Sequence, residues 1–395
     1  MRINKLLSIF TVSAIALSGL SAFETKAKVT MEGSLARETK AKGGDAKYEV
    51  FNLDTTGDKG KNKVEIEVDS VLAGAHFELC YDYINEANTS NGVTHKAEDG
   101  WSAFARNTYI WFKPVDQVKL RLGYVGQDDF FVERIDEEKV GNPFSYTFRT
   151  NGNLMPYYIT NADVDEMGFS LAVEPVENLM ISAAIAPGVT NSGITKDGDS
   201  DLTYSAWGAA ARYTMEPLKF EASFRDSGKK SWKVARLGAG YESETVYAFI
   251  QPVFGFDYIT STDKYEMNGF CVDLYGEYSI DQLKLTAHLP VTIRTTGRDD
   301  DPKYIEFLAK AEYNTGAHGL LDDVTPYILA KNMDKTVITL DSNASDNLAL
   351  TAQAGSAFKI ANAELDVGVA VDVHAKNDAS ERITWAIPFV AKIEF

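Results

Sequence analysis

The stretch Trp111–Tyr124, WFKPVDQVKLRLGY, holds two short runs of alternating residues on either side of a proline and an aspartate. Its second half, QVKLRLGY, alternates apolar with charged side chains, and a period of two residues is typical of a β-strand with one apolar and one polar face. Pro114 cannot donate a sheet hydrogen bond and Asp116 favours a turn, so we expect the first run to end at Pro114. The stretch therefore predicts strand, tight turn, strand.

The same arrangement recurs at irregular intervals along the chain. It is found as EPVENLMISA at 174–183, MEPLKFEASF at 215–224 and, without proline, SIDQLKLTAH at 279–288. Other segments alternate just as strictly, among them KVEIEVD at 63–69, AHFELCYDY at 75–83 and AELDVGVAVDVH at 363–374. Because the spacing between copies varies, the pattern predicts the hairpins of a β-meander rather than a stacked repeat array.

The predicted connections alternate between short and long. Short turns fall near residues 72–75, 113–117, 174–178, 215–217, 242–244, 279–282 and 358–362. Longer polar segments fall at 85–99, 128–163, 188–202, 226–231, 257–263, 295–302, 334–347 and 375–381, and only the turn at 314–323 departs from the alternation. Short turns at one rim and long loops at the other are typical of a transmembrane β-barrel. We therefore predict an all-β, closed antiparallel meander barrel of about 18 strands, with 16 as the alternative count.

The first 22 residues differ in character from the rest of the 395-residue chain. Arg2 and Lys5 precede an apolar segment that ends in small residues, which is typical of a secretory signal peptide, and we expect cleavage after Ala22. Residues 23–395 then form a single barrel domain. Beyond residue 25 no apolar run approaches the roughly 20 residues that a transmembrane helix needs.

Metal, disulfide and catalytic signals are weak. Only two cysteines occur, Cys80 and Cys271, and we expect them to be unpaired, with one long-range disulfide as the alternative. Asp197, Asp199 and Asp201 have a spacing that suits Ca²⁺, but the glycine and the final glutamate of a calcium loop are absent, so an acidic surface loop is favoured. No metalloprotease histidine pair, nucleophile elbow or phosphate loop is present, so we expect no enzyme activity, no cofactor and no nucleic-acid partner.

The chain ends in WAIPFVAKIEF, in which Ile393 and Phe395 share one face. Here it resembles the Gram-negative outer-membrane β-barrel family, which includes general porins and related spirochaete proteins. Members commonly end in phenylalanine with apolar residues at alternate positions before it, and the barrel-assembly machinery reads that end. Where many members have a glycine five places before the end, this chain has Val390. The resemblance implies an outer-membrane location, with the short turns periplasmic and the long loops external, and a homotrimer as one assembly.

Closure of the barrel follows from the hydrocarbon environment, where every backbone group must be paired within the protein. We therefore expect the first and last strands, near 28–37 and 383–395, to pair. Aromatic residues should gather at the two lipid–water interfaces. The candidates for this girdle, all placed on the apolar face, are Tyr81, Tyr83, Tyr109, Trp111, Tyr124, Trp207, Tyr213, Tyr241 and Tyr313.

An apolar exterior leaves the polar face of each strand pointing into the barrel, where it would line water. Charges on this face are the candidate pore-lining residues: Glu65, Glu67, Asp69, Glu78, Asp82, Lys119 and Arg121. This chain resembles general porins in having one especially long loop. In those porins the long loop folds into the lumen and forms a constriction. On that resemblance loop 128–163 supplies Asp128, Asp129, Glu133, Arg134 and Arg149, and a solvated external loop is the alternative.

These features predict a water-filled porin that lets small hydrophilic solutes and ions diffuse across the outer membrane. Two alternatives stay open. One is a surface adhesin or receptor barrel with a narrow or plugged lumen, and the other is a substrate-specific outer-membrane channel.

Overall fold

A computed structural model describes residues 24–52, 62–84, 89–90, 93–94, 100–125, 166–186, 206–226, 233–259, 261–294, 303–305, 307–332, 348–375 and 382–395. The predicted signal peptide, the candidate constriction loop 128–163 and the aspartates at 197–201 lie outside these residues. No helix long and apolar enough to cross a bilayer occurs within the described ranges.

The described chain is built of β-strands. They are β1 (Glu24–Ala41), β2 (Ala46–Asn52), β3 (Lys63–Asp69), β4 (Ala73–Ile84), β5 (Thr89–Ser90), β6 (Val93–Thr94), β7 (Gly100–Val115), β8 (Val118–Val125), β9 (Glu166–Val176), β10 (Leu179–Ala186) and β11 (Ala206–Met215). The second half of the chain supplies β12 (Leu218–Asp226), β13 (Lys233–Glu242), β14 (Val246–Ile259), β15 (Lys264–Ile280), β16 (Leu283–Arg294), β17 (Lys303–Ile305), β18 (Leu308–Tyr313), β19 (Asp323–Asn332), β20 (Leu348–Ile360), β21 (Ala363–Ala375) and β22 (Arg382–Glu394).

Every strand except β5 and β6, which pair with each other, belongs to one antiparallel sheet of 20 strands. Both β2 and β3 pair with the same edge of β1, and both β17 and β18 pair with β16, so each of these pairs fills one place in the ring. The sheet therefore has 18 strand positions, which confirms the predicted count.

The ring closes between the first and last strands, as predicted. β1 pairs with β22 from Lys28 opposite Glu394 to Ala41 opposite Arg382. The terminal residue takes part, since the Phe395 amide donates to the Ala27 carbonyl at 2.8 Å. Closure removes the two free edges that an open sheet would present to lipid.

The quoted hairpin is formed by β7 and β8, with its turn at Asp116 and Gln117. The expectation that Pro114 ends the first strand is wrong, because β7 continues to Val115. The ladder instead shifts register between Phe112 and Val115, so the missing donor of the proline is accommodated by an irregularity rather than by a strand end.

Apart from 314–322, the connections at one rim are two or three residues long, and those at the other rim have four or more. Both ends of the described barrel, at residues 24 and 395, lie at the rim with the turns 70–72, 116–117, 177–178, 216–217, 243–245, 281–282, 314–322 and 361–362. The opposite rim carries connections that range from the four residues 42–45 or 260–263 to the segment 126–165. The former is called the turn rim below and the latter the loop rim.

Candidate functional site: the lumen wall

The two faces of the barrel have opposite chemistry. Large apolar side chains are exposed on the outer face of β8 to β21, among them Leu122, Ile181, Phe220, Leu237, Ile250, Leu285, Ile328 and Val369. Charged and polar side chains at the alternate positions are buried, among them Glu78, Arg121, Glu221, Arg225, Arg236, Asp273, His288, Lys310, Lys331, Gln353, Asp366 and Asp372. Apolar residues outside and charges inside are the inverse of a water-soluble protein and fit a barrel surrounded by lipid.

Exposed tyrosines mark the turn rim of the outer face. Tyr213, Tyr241, Tyr278 and Tyr313 each lie on the outer face within three residues of a connection at the turn rim, and each is between 42% and 47% exposed. Amphipathic rings at this level suit a lipid–water interface. Three of the four were predicted members of the girdle. Tyr278 was missed, although it lies on the same face of β15 as the apolar residues Val272 and Leu274.

Two predicted girdle residues face inward instead. The Trp111 indole nitrogen donates to Asp69 Oδ1 at 3.1 Å, and the Tyr109 ring lies 3.4 Å from the guanidinium carbon of Arg121. Because residues 109–112 are all apolar or aromatic, the period of two cannot be read there. The polar partners on the lumen face decide the orientation.

An acidic group lies on the hairpin of β3 and β4 near the turn rim. Glu65 stands directly opposite Glu78 in the ladder. Lys63 bridges them, since its ammonium lies 3.0 Å from Glu65 Oε1 and 3.3 Å from Glu78 Oε2. Glu67 stands opposite His76 on the same face. With Asp69 this face carries four carboxylates, and the neighbouring strand β1 places Lys28 opposite Glu65 and Lys26 opposite Glu67.

Cations and aromatic rings alternate on the next hairpin, formed by β7 and β8. The Lys119 ammonium lies 4.7 Å from the centre of the Trp111 ring, and Arg121 covers the ring of Tyr109 as described. Such contacts stabilise a cation most strongly where water is partly excluded. Both predicted pore-lining cations are thus held against aromatic rings on the lumen face.

The strands β11 to β13 carry the arginines of the wall. Arg212 pairs with Glu221. Arg225 and Arg236 lie on the lumen face of β12 and β13 and are only 1% and 5% exposed. In the ring, β13 stands nine places from β1, whose two neighbouring regions, β3–β4 and β21, hold the carboxylates Glu65, Glu67, Asp69, Glu78, Glu364, Asp366 and Asp372. The wall thus has more arginines on one side and more carboxylates on the side across the lumen, where Lys26 and Lys28 of β1 and Lys392 of β22 stand opposite three of the carboxylates.

Between these two sides the wall carries paired polar side chains. His288 Nε2 lies 2.5 Å from Asp273 Oδ1, with the imidazole packed edge-on against Tyr275. Further along, the Lys310 ammonium lies 2.6 Å from Glu312 Oε1. Sequence reasoning missed Asp273, although it alternates with Val272 and Leu274 and could have been found by parity.

The structure places Glu65, Glu67, Asp69, Glu78, Lys119 and Arg121 on the lumen face, where the alternation put them. Asp82 lies on β4, and nothing further is described for its side chain. The five loop candidates, Asp128, Asp129, Glu133, Arg134 and Arg149, lie outside the described ranges. Their role in a constriction stays a prediction.

The ends of the chain and the cysteines are also placed. Ile393, near the end of β22, and Phe395, directly after this strand, are both exposed at the turn rim. Cys80 and Cys271 are buried and form no disulfide bond, as predicted. They belong to β4 and β15, which are nine places apart in the ring, so the alternative of a disulfide is wrong on geometric grounds.

No protein-family model and no curated protein sequence matches the chain. Solved structures do match over almost their whole length. A BenF-like porin from Pseudomonas fluorescens Pf-5 superposes with a TM-score of 0.57 at 10% identity, covering 95% of this chain and 98% of the porin. OpdK from Pseudomonas aeruginosa, solved with vanillate, gives a TM-score of 0.55 at 8% identity, covering 94% of this chain and 98% of OpdK.

OccK2 from Pseudomonas aeruginosa, solved in complex with glucuronate, gives a TM-score of 0.54 at 10% identity, with coverage of 94% and 98%. Identities this low carry information about architecture and none about individual side chains. The comparison agrees with the strand count and with the apolar outer and polar inner faces. The chain has the barrel fold of these outer-membrane porins.

Proposed function

We propose that the protein is a porin of the Gram-negative outer membrane, through which small hydrophilic solutes and ions diffuse passively. The proposal rests on one observation: the sheet is a closed ring of 18 strand positions that has charged residues on its inner face and apolar residues on its outer face. A ring of this size encloses more space than its own side chains fill, and a charged wall holds water rather than lipid. No covalent chemistry is needed for such a function.

Conductance in a planar lipid bilayer tests the porin directly. The mature protein is refolded in detergent, its fold is checked by heat-modifiable gel migration and a sheet-rich far-ultraviolet spectrum, and it is added to the bilayer. We expect stepwise increases in current. Silence from demonstrably folded protein would instead support the adhesin or receptor barrel.

A second candidate, a channel selective for small organic carboxylates, is favoured by one observation. Arg225 and Arg236 lie buried on the lumen face, and guanidinium groups bind carboxylates well. OccK2 and OpdK, whose fold this chain shares, were solved with glucuronate and vanillate, which are both carboxylates. A matched pair of neutral and acidic sugars separates the candidates. A general porin is blocked by neither, whereas a selective channel shows concentration-dependent current interruptions with glucuronate but not with glucose.

Assembly is a further part of the proposal. The exposed terminal residue Phe395 supports recognition by the barrel-assembly machinery, and a homotrimer in outer-membrane lipid remains our expectation from the resemblance to porins. Chemical crosslinking of the protein in native membranes distinguishes a trimer from a monomer.

A further inference from the structure

We propose that Glu65, His76 and Glu78 form a binding site for one divalent transition-metal ion, such as Zn²⁺, on the lumen wall. One carboxylate oxygen from each glutamate and one ring nitrogen of the histidine lie within 4.8 Å of one another. All three side chains come from the hairpin of β3 and β4, so a rigid two-stranded unit holds the donor set. The proposal rests on these side chains and not on the porin function.

The ladder register brings negative charges together at this point, which favours the binding of a cation. Glu65 and Glu78 are directly opposite each other, and like charges in that relation destabilise a sheet. Glu67 and Asp69 continue the same face and add to the negative potential. Lys63 offsets part of this negative charge through its contacts of 3.0 and 3.3 Å to the two glutamates, and Lys28 and Lys26 of β1 stand directly opposite Glu65 and Glu67.

One acceptor remains unused within the described part of the chain. Glu65 Oε2 is buried and has no hydrogen-bond partner there. A buried carboxylate oxygen without a partner loses its solvation without compensation, which is unusual in a native structure. This oxygen lies on the hairpin face that carries the other two donors, so a bound cation would satisfy it.

The distances require only a small rearrangement. Two donors that each lie about 2.1 Å from a tetrahedral Zn²⁺ ion are about 3.4 Å apart, so donor atoms that now lie up to 4.8 Å apart must close by up to about 1.4 Å. The Lys63 ammonium, which now touches both glutamates, must withdraw, so metal and lysine compete for the same carboxylates.

The histidine decides the class of metal. His76 stacks on Tyr109 with ring centres 5.2 Å apart and planes inclined by 16°. Stacking uses the face of the imidazole and leaves the nitrogens on its edge available to a ligand. A set of one nitrogen and two oxygens suits Zn²⁺ and its transition-metal neighbours, whereas Ca²⁺ and Mg²⁺ prefer oxygen alone. With three protein donors, a fourth position stays open to water from the lumen.

Calorimetric titration of the folded protein in detergent tests the site, with ZnCl₂ as the probe. We expect saturable binding of one Zn²⁺ per chain, and weaker binding of Ca²⁺ and Mg²⁺. His76→Ala and Glu65→Gln should each weaken Zn²⁺ binding about tenfold or more. Lys63→Met, which removes the competing ammonium, should strengthen it.

His318→Ala is the matched control, since His318 lies exposed in the turn 314–322 and away from the β3–β4 hairpin. Its Zn²⁺ affinity should equal that of the unmodified protein. Heat-modifiable gel migration confirms that each variant is folded, and His76→Gln replaces His76→Ala if the latter does not fold. Unchanged affinity in a folded His76 or Glu65 variant would overturn the proposal, as would loss of binding in His318→Ala or the absence of saturable binding. Because no current is measured, the result is independent of whether the barrel conducts.

Discussion

The Tyr327 hydroxyl donates a hydrogen bond to Asp366 Oδ1 at 3.0 Å and crosses an entire strand to do so. Tyr327 belongs to β19 and Asp366 to β21, and the residue between them on β20, directly opposite Tyr327, is Gly355. A Cβ atom at Gly355 would lie 2.6 Å from the tyrosine oxygen and 2.7 Å from the Val367 carbonyl. The glycine therefore makes room for a link that ties three strands together on the lumen face.

The same construction occurs on the opposite flank of β1. Trp111 on β7 reaches Asp69 on β3 across Gly74 on β4, where a Cβ atom would lie 2.5 Å from the indole nitrogen. In both places an aromatic ring with a polar tip joins a carboxylate two strands away. These links stiffen the wall on either side of the closure between β1 and β22.

Gly355→Ala should destabilise the barrel by about 1–3 kcal/mol, because the new methyl group meets a ring and a backbone carbonyl that have no room to move. The temperature at which the folded band is lost in heat-modifiable electrophoresis measures the effect. Gly276→Ala is the matched control, since nothing lies within 4 Å of a Cβ atom there and its effect should be small. Equal losses in both variants would show that the space around Gly355 is not what matters.

The outer face should show the depth dependence of a lipid-facing surface. Leu237 lies in the middle of β13 and is 53% exposed, whereas Tyr241 lies one residue from the end of the same strand at the turn rim. Leu237→Arg should cost about 2–4 kcal/mol of folding free energy in lipid vesicles, and Tyr241→Arg about 0–1 kcal/mol. Refolding yield into vesicles across a denaturant series measures both. Similar costs at the two depths would contradict the assignment of the outer face to lipid.

The arginine side of the wall should set ion selectivity if the barrel conducts. Arg236→Gln removes a buried positive charge from the lumen face, so the cation-to-anion permeability ratio should rise. The reversal potential in a KCl gradient measures that ratio. Lys264→Gln, which removes an exposed charge at the start of β15 on the loop rim, is the control and should shift the potential far less. Equal shifts would mean that rim charge, not wall charge, controls selectivity.

The two thiols should behave as separate, inaccessible groups. Cys80 and Cys271 are both buried and form no disulfide, so the folded protein should react slowly with a polar thiol reagent and expose two reactive thiols per chain when denatured. Reducing and non-reducing gels should be identical. A reagent titration that finds no free thiol after denaturation would contradict the ring order that separates β4 from β15.

The strand number and the two faces could be predicted from the sequence because both depend on a period of two, which short segments display clearly. Residues such as Glu65, Glu78 and Arg121 were assigned to the lumen by that period alone. It failed at Tyr109 and Trp111, where consecutive aromatic residues erase the alternation and the orientation depends on partners from other strands.

Contacts between residues on different strands could not be predicted from the sequence. The opposition of Glu65 and Glu78, and the link from Tyr327 to Asp366, depend on ladder register, which is set by turn geometry and by irregularities such as the one at Phe112 and Val115. Alternation reports the face on which a side chain lies and carries no information about its neighbour. The separation of arginines from carboxylates across the lumen also required the ring order.

The last residue should matter for assembly more than for the stability of the finished barrel. Phe395 is 73% exposed, so its side chain packs little, although its amide and carbonyl bond Ala27 at 2.8 and 3.2 Å. If the assembly machinery reads this side chain, Phe395→Ala should lower the amount of folded protein in the outer membrane while leaving refolding in detergent and thermal stability nearly unchanged, because the backbone bonds are kept. Ile383→Ala, at an exposed outer position near the other end of β22, is the matched control and should assemble normally. An equal loss in cells and in detergent would assign Phe395 a structural role instead, and equal cellular yields for the two variants would remove the recognition role altogether.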